Sequence, residues 1–356
     1  MPAPSPAPFA IGEHNVAPGE QVDLNLPVTT TATGYDSHLK VRVVHGAKPG
    51  PTVFVSGAIH GDEIIGTAII QRIALELDPQ SLAGTVLLVP VTNVYGFLAH
   101  SRYLPDRRDL NRSFPGSATG SLAAQLAHVF FTEVVRRSSF GVDIHSAAVH
   151  RYNLPQIRIA AGDPKLVETA MAFGAPIIIE SPLRDGSLRA VAREAGVNML
   201  LMETGEALKF DRFSIETGVN GVLRVLAHMG LIEAGDEPSE VGVPARANRS
   251  VWVRSPRGGV VHQVCESGGA VREGDLLAVV SGLIGEEPEE LLSPIDGIVI
   301  GHATLPVVHQ GDALFHIAAL AHPERVGERI ETITDAIYAS EPEGFAEALL
   351  DEDEVL

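Results

Sequence analysis

Four groups able to bind a metal or move a proton each follow a short apolar run, and this coincidence restricts the fold more than any other feature of the chain. Thr52-Val53-Phe54-Val55 precedes His60 and Glu63, Gly141-Val142-Asp143-Ile144 precedes His145, and Val197 to Met202 precedes Glu203. Runs rich in β-branched and aromatic residues read as buried strands, and Ile64 to Leu77 carries apolar residues at helical spacing. Strands that alternate with helices build an α/β sheet, whose ligands gather at the carboxyl ends of the strands. Two neutral imidazoles and one carboxylate, with a fourth position left for water, suit a catalytic zinc. His60, Glu63 and His145 supply that set, and Glu203 is left to take a proton from water. A lone His or Glu at a strand end is more often a solvated turn residue, so the expectation rests on the combination.

Between the ligands lies an arginine-rich segment. Arg102, Arg107, Arg108 and Arg112 fall within eleven positions of a chain with 26 basic and 45 acidic residues. Such a cluster predicts a local anion site, because the guanidinium fork matches a carboxylate bidentately and Asn111 adds an amide donor. Its bland alternative is a solvated loop, which for Arg107 and Arg108 is an equal reading.

At these residues the chain resembles the succinylglutamate desuccinylase and aspartoacylase family, relatives of the zinc carboxypeptidases. The matching pieces are Gly57-Ala58-Ile59-His60-Gly61-Asp62-Glu63, Arg102-Tyr103, Asp109-Leu110-Asn111-Arg112, Asp143-Ile144-His145 and Glu203-Thr204-Gly205. The resemblance implies one Zn2+ per chain on His60, Glu63 and His145, and Glu203 as general base and later acid. It implies further that Arg102 polarises the scissile carbonyl while Asn111 and Arg112 hold a substrate carboxylate. The segments His100 to Arg112 and His150 to Arg158 look closest to a bacterial subgroup encoded beside a ribosomal-protein glutamate ligase. The implied activity is hydrolysis of an amide bond in a carboxylate-bearing substrate such as an N-acyl amino acid. The alternatives are carboxypeptidase-like removal of acidic residues from a protein or peptide tail, and a non-catalytic binding protein.

Composition narrows the partners. A formal charge of −19 argues against nucleic acid, and no apolar run is long enough to cross a bilayer. A small anionic substrate or an acidic peptide end fits a local arginine cluster in an acidic chain. The single cysteine, Cys265, leaves no intrachain disulfide and no thiolate zinc cluster, so the cytoplasm is the expected compartment. The Pro-rich start, Met1 to Pro8, lacks the basic and apolar regions of a secretory signal.

The expected architecture is α/β: a zinc-carboxypeptidase-like mixed sheet flanked by helices, with a smaller C-terminal all-β barrel or sandwich. Residues 1–40 form a lead-in with edge strands, 41–235 the zinc hydrolase domain, and 234–240 a linker. Residues 250–318 carry a faint repeat. Ser255-Pro256 precedes Gly274-Asp275 much as Ser293-Pro294 precedes Gly311-Asp312. This stretch resembles biotinyl and lipoyl carrier domains, yet no lysine follows Lys209, so it cannot be a lysine-modified arm. It reads instead as a lid, a pocket wall or the contact of a homo-oligomer. The tail, 319–356, is acidic, with a helix-like part from Glu324 to Ala339 and a solvated end at Asp351 to Glu354.

Overall fold

The computed structural model describes residues 6–234 and 242–339. Most of the linker and the acidic end of the tail lie outside the described residues. A mixed sheet of thirteen strands forms the frame. Its centre is parallel: Ala83–Val89, Lys48–Gly57, Phe140–Ala147 and Asn198–Glu206 lie side by side. Asp36–His45 and Glu20–Thr30 extend one edge in antiparallel fashion. The β-branched runs occupy the centre because a parallel sheet is covered on both faces. Val53, Phe54, Val55, Val142 and Leu200 are accordingly inaccessible to solvent.

Helices Ile65–Glu76, Pro164–Phe173 and Arg212–His228 pack on one face around Ile65, Ile69, Ile73, Phe173, Val222 and Val225. On the other face Leu122–Glu133 and Leu188–Glu194 bury Leu126, Phe130, Leu188 and Val191. Burial of such side chains supplies about 1.5–3 kcal/mol each. The first helix starts immediately behind the strand that leads to His60. That closeness needs two glycines, since a Cβ on Gly57 would stand 3.0 Å from the Cα of Gly66.

The C-terminal module is antiparallel and sandwich-like. Ser250–Arg254, Gly297–Ala303 and Ala313–Ala319 form one layer, and Gly259–Gln263, Leu276–Ser281, Glu289–Leu292 and Val307–Val308 the other. Val253, Leu277, Val280, Val299, Phe315 and Ile317 fill the space between them. The repeat has a physical basis. Ser255 and Ser293 each donate a hydroxyl hydrogen bond of 2.7 Å to the carbonyl two residues on. Each serine is also clasped by the Gly-Asp turn of the other half. The amide of Ser255 donates to Asp312 O and that of Ser293 to Asp275 O, while Gly311 and Gly274 donate back to Ser255 and Ser293.

The first layer is continuous with the main sheet, because Gly297–Ala303 pairs antiparallel with Arg151–Ile159. Helix Pro323–Ala339 then packs Ile330 against Leu154, Phe213 and Ile298. No helix among the described residues is long and apolar enough to cross a membrane.

Candidate metal centre and substrate cleft

The turn after Lys48–Gly57 carries His60 and Glu63. Its path leaves no room for a side chain at Gly61, where a Cβ would meet the backbone carbonyl carbon of Gly96 at 1.9 Å. The other two groups sit within strands rather than beyond their ends: His145 lies in Phe140–Ala147 and Glu203 in Asn198–Glu206, directly opposite one another in the register. The strands run slightly further than their apolar runs because the parallel ladder continues through both residues.

His60, Glu63 and His145 converge, with one potential ligand atom from each lying within 4.8 Å of the others. All three are buried. Nδ1 of His60 stands 2.7 Å from Glu63 Oε1, and Nδ1 of His145 stands 2.8 Å from Glu63 Oε2. The opposite ring nitrogens meet further carboxylates. Nε2 of His60 lies 3.2 Å from Asp109 Oδ1, and Nε2 of His145 lies 2.8 Å from Asp143 Oδ2. Asp143 is fixed in turn by the Ser56 hydroxyl at 2.8 Å.

Each imidazole is thus flanked by two carboxylates, and the charges follow. Burial opposes ionisation of Glu63, yet His60 and His145 outweigh it and hold the carboxyl far below its ordinary range. Burial likewise opposes protonation of His145, but Asp143 and Glu63 raise it well above the usual histidine value. His60 is raised too, by Glu63 and Asp109 against the effect of burial. Such a cluster demands positive charge at its middle. A divalent cation would meet that demand, with the two rings as neutral donors and Asp143 and Asp109 orienting them from behind.

Glu203 stands beside this centre. Asn153 donates a 2.9 Å hydrogen bond to its Oε2, and the Arg158 guanidinium lies 3.7 Å from Oε1. Glu206, the nearest other carboxylate in the sequence, is turned elsewhere, accepting from the His150 amide and the Lys209 ammonium. Arg102 spans Glu63 at 3.2 Å and Asp109 at 3.0 Å, so its fork is anchored in the histidine–carboxylate cluster itself.

A cavity of about 320 Å³ opens over these groups. His60, Glu63, His145, Glu203, Arg102, Asn111 and Arg112 all line it, so every site residue expected from the sequence borders one cleft. Asn111 spends its side-chain oxygen on the Leu188 amide at 2.8 Å, which leaves its NH2 group available to the cleft. Arg112 is exposed and donates to its neighbour's carbonyl. Arg107 and Arg108 are outside the cleft lining.

Arg151, Arg158 and Arg184, not given a role from the sequence, also line the cleft, as does Arg189, which with Arg193 is a sequence candidate for a substrate arginine; Arg193 is outside the lining. Among the described residues, no carboxylate stands within ion-pair distance of Arg112, Arg151, Arg184 or Arg189. Burial, with Arg158 nearby, lowers the Arg189 guanidinium to about 10, and its Nη1 is buried without a hydrogen-bond partner. Asp109, Asn153 and Trp252 complete the contributions that sequence reading left without a role. For Asp109 a signal was present in its position two residues before Asn111, and for Asn153 in the His150 to Arg158 segment; for Trp252 none was.

The catalytic-domain profile of the succinylglutamate desuccinylase/aspartoacylase family matches residues 49–229, just over half of the chain. N-alpha-acetyl-L-2,4-diaminobutyric acid deacetylase of Halomonas elongata is 28% identical over 311 residues, covering 83% of this chain and 90% of that one. The product-bound ectoine utilization protein of Ruegeria pomeroyi superimposes with a TM-score of 0.75 at 25% identity, over 84% of this chain and 95% of its own. A succinylglutamate desuccinylase/aspartoacylase from Rhodobacter sphaeroides gives 0.73 at 27% identity, over 83% and 95%. With a mixed sheet of the same fold and the profile seated over the whole His60 to Glu203 span, the chain belongs to the succinylglutamate desuccinylase/aspartoacylase family.

Proposed function

We propose that this protein is a zinc-dependent deacylase that hydrolyses the amide bond of an N-acyl amino acid bearing at least one carboxylate. The observation that carries the reading is the convergence of His60, Glu63 and His145 within 4.8 Å, with Glu203 opposite His145 at the floor of one cleft. A zinc ion held by those three groups would supply Lewis acidity toward water and the scissile carbonyl. Glu203 takes the proton from the attacking water and delivers it to the leaving amine nitrogen. Asn153 holds one of its oxygens, and the other, 3.7 Å from the Arg158 guanidinium, is left to accept the proton.

Arg102 faces developing negative charge on the carbonyl oxygen from a position fixed by Glu63 and Asp109. Asn111 and Arg112 bind the substrate carboxylate. An anionic substrate is further supported by the arginines that line the cleft of a chain whose net charge is −19, since attraction must then be local. The relative from Halomonas elongata deacetylates an acetylated amino acid, and that chemistry is the one proposed here.

The test is turnover of the zinc-loaded protein on a panel of N-acetyl and N-succinyl amino acids beside glutamate-tailed peptides, read as release of free amine. Cleavage of the acylated amino acids supports the proposal. Exclusive cleavage of the peptides would establish the carboxypeptidase-like alternative, and no turnover on either would leave a binding protein.

A further inference from the structure

The C-terminal module joins the catalytic sheet one strand away from Glu203. In the joining ladder Gly301 pairs with Asn153, His302 with Tyr152 and Ala303 with Arg151. The buried Gln156 side chain adds a 3.1 Å bond to Ile300 O. The turn into Arg151 is clamped on both sides, the His150 amide donating to Glu206 and the His150 carbonyl accepting from the Thr304 amide. Of the three readings open from the sequence, these contacts favour a fixed wall over a moving lid.

Asn153 stands between two glycines in the sheet, paired with Gly205 on the Glu203 strand and with Gly301 on the module strand. The register breaks at this level in neighbouring strands. Glu203 to Gly205 faces Gln156 to Asn153, two steps against three, and Val299 to Gly301 faces Ile317 to His316, two steps against one. Such bulges re-aim side chains beside active sites. Asn153 is buried, and its amide nitrogen donates a 2.9 Å bond to Glu203 Oε2. Its Oδ1 meanwhile fills space that a side chain at Gly301 would need, 2.8 Å from where a Cβ would stand. Gly301 is not among the glycines with positive φ, so its backbone conformation gives no reason for a glycine. The room it leaves for Asn153 does.

We propose that Gly301 and Asn153 are positioning residues for proton transfer, the module supplying a slot that holds the Asn153 carboxamide in the orientation that fixes Glu203. This rests on the deacylase reading for the role of Glu203, but the slot itself can be tested without turnover. A hydrogen bond to a charged carboxylate is stronger than one between neutral groups, and a base already held in place has no orientation to find when the proton moves. The atom that obstructs a Cβ at Gly301 is the end of a rotatable side chain, and the next obstacle, Tyr152 O, is 3.1 Å away. An alanine is therefore accommodated by turning the Asn153 carboxamide, which breaks its bond to Glu203.

The experiment compares kcat, KM and zinc content of the full chain with those of Gly301→Ala, Asn153→Ala and the double variant. Gly258→Ala is the control, because a Cβ there has ordinary room, 3.5 Å from Val308 O. Gly301→Ala should lower kcat about tenfold or more, the weight of a hydrogen bond to a charged group, with KM within about twofold and zinc unchanged. Asn153→Ala should do the same, and the double variant should be no slower than Asn153→Ala, since both changes act through one bond. Gly258→Ala should keep the full kcat. A normal kcat in Gly301→Ala, losses that multiply in the double variant, or an equal loss in Gly258→Ala overturns the proposal. Should Gly301→Ala fail to fold, the double variant should fold because the obstructing atom is gone, and its failure also overturns the proposal. The side-chain amide signal of Asn153 in the nitrogen–proton NMR spectrum, assigned by its loss in Asn153→Ala, separates the slot from the function. It should shift in both Glu203→Gln and Gly301→Ala, and a signal unmoved in Gly301→Ala overturns the slot even in an active enzyme. Both shifts in a protein that turns over no acyl amino acid would sink the function proposed above and leave the slot standing.

Discussion

Replacing Asp143 by Asn asks whether the groups behind the ligands tune the metal site. Asp143 is buried and makes two contacts of 2.8 Å, one to His145 Nε2 and one from the Ser56 hydroxyl. Asparagine keeps the shape but loses the charge, and its amide can satisfy only one of these partners in the present geometry. The imidazole then becomes a poorer donor to zinc. Removal of such a partner weakens metal binding by about 10- to 100-fold, or roughly 1.4–2.7 kcal/mol. Competition with a chromophoric chelator reads the affinity directly. The gain in unfolding free energy on adding zinc should shrink by the same amount at equal free zinc. Zinc affinity unchanged to within about twofold would refute this and reduce Asp143 to an ordinary buried carboxylate of the sheet.

Other expectations concern proton transfer, the arginines and the module. Glu203→Gln should retain zinc and lose at least about a hundredfold in kcat, and a near-normal rate would move the proton-transfer role elsewhere. Arg112→Ala should raise KM chiefly and Arg102→Ala should lower kcat chiefly, as steady-state kinetics on one substrate will show. Amidating the substrate carboxylate should mimic Arg112→Ala and add little to it, whereas an amidated substrate that reacts as well as the acid would refute the anion pocket. His316, pushed down to about 3 by burial and by Arg158, is neutral in the fold and charges more readily when unfolded. Its contribution to stability is complete above the ordinary histidine value near 6.5 and is lost as pH falls from there toward 3, with a slope of at most about 1.4 kcal/mol per pH unit. His316→Gln should flatten that limb of the urea stability profile, and an unaltered slope would refute the assignment.

The sheet and the convergence of His60, Glu63 and His145 were legible because their signals are local. A β-branched run such as Thr52-Val53-Phe54-Val55 marks a strand wherever it sits, and His60 and Glu63 share one turn. The paired halves of the module were readable for the same reason, since Ser293-Pro294 and Gly311-Asp312 repeat an earlier pattern. The outer cleft was not, because it is assembled by register. Asn153 and Arg151 become site residues only where Arg151–Ile159 lies between Glu203 and the module, and nothing near them in sequence announces that neighbour. Trp252 is likewise brought in by a strand that pairs with Ala313–Ala319. The expected separation of a catalytic domain from its appendage also concealed the continuity of their sheets, since the main-chain ladder carries no side-chain signature.

The most direct measurement is zinc content per chain in the purified protein, in Glu203→Gln, and in His60→Ala and His145→Ala. The first two should bind one zinc per chain and the two histidine variants none at stoichiometric level, with all four retaining the far-ultraviolet circular dichroism of the native fold. Full zinc occupancy in both folded histidine variants would contradict the assignment of the centre to His60, Glu63 and His145.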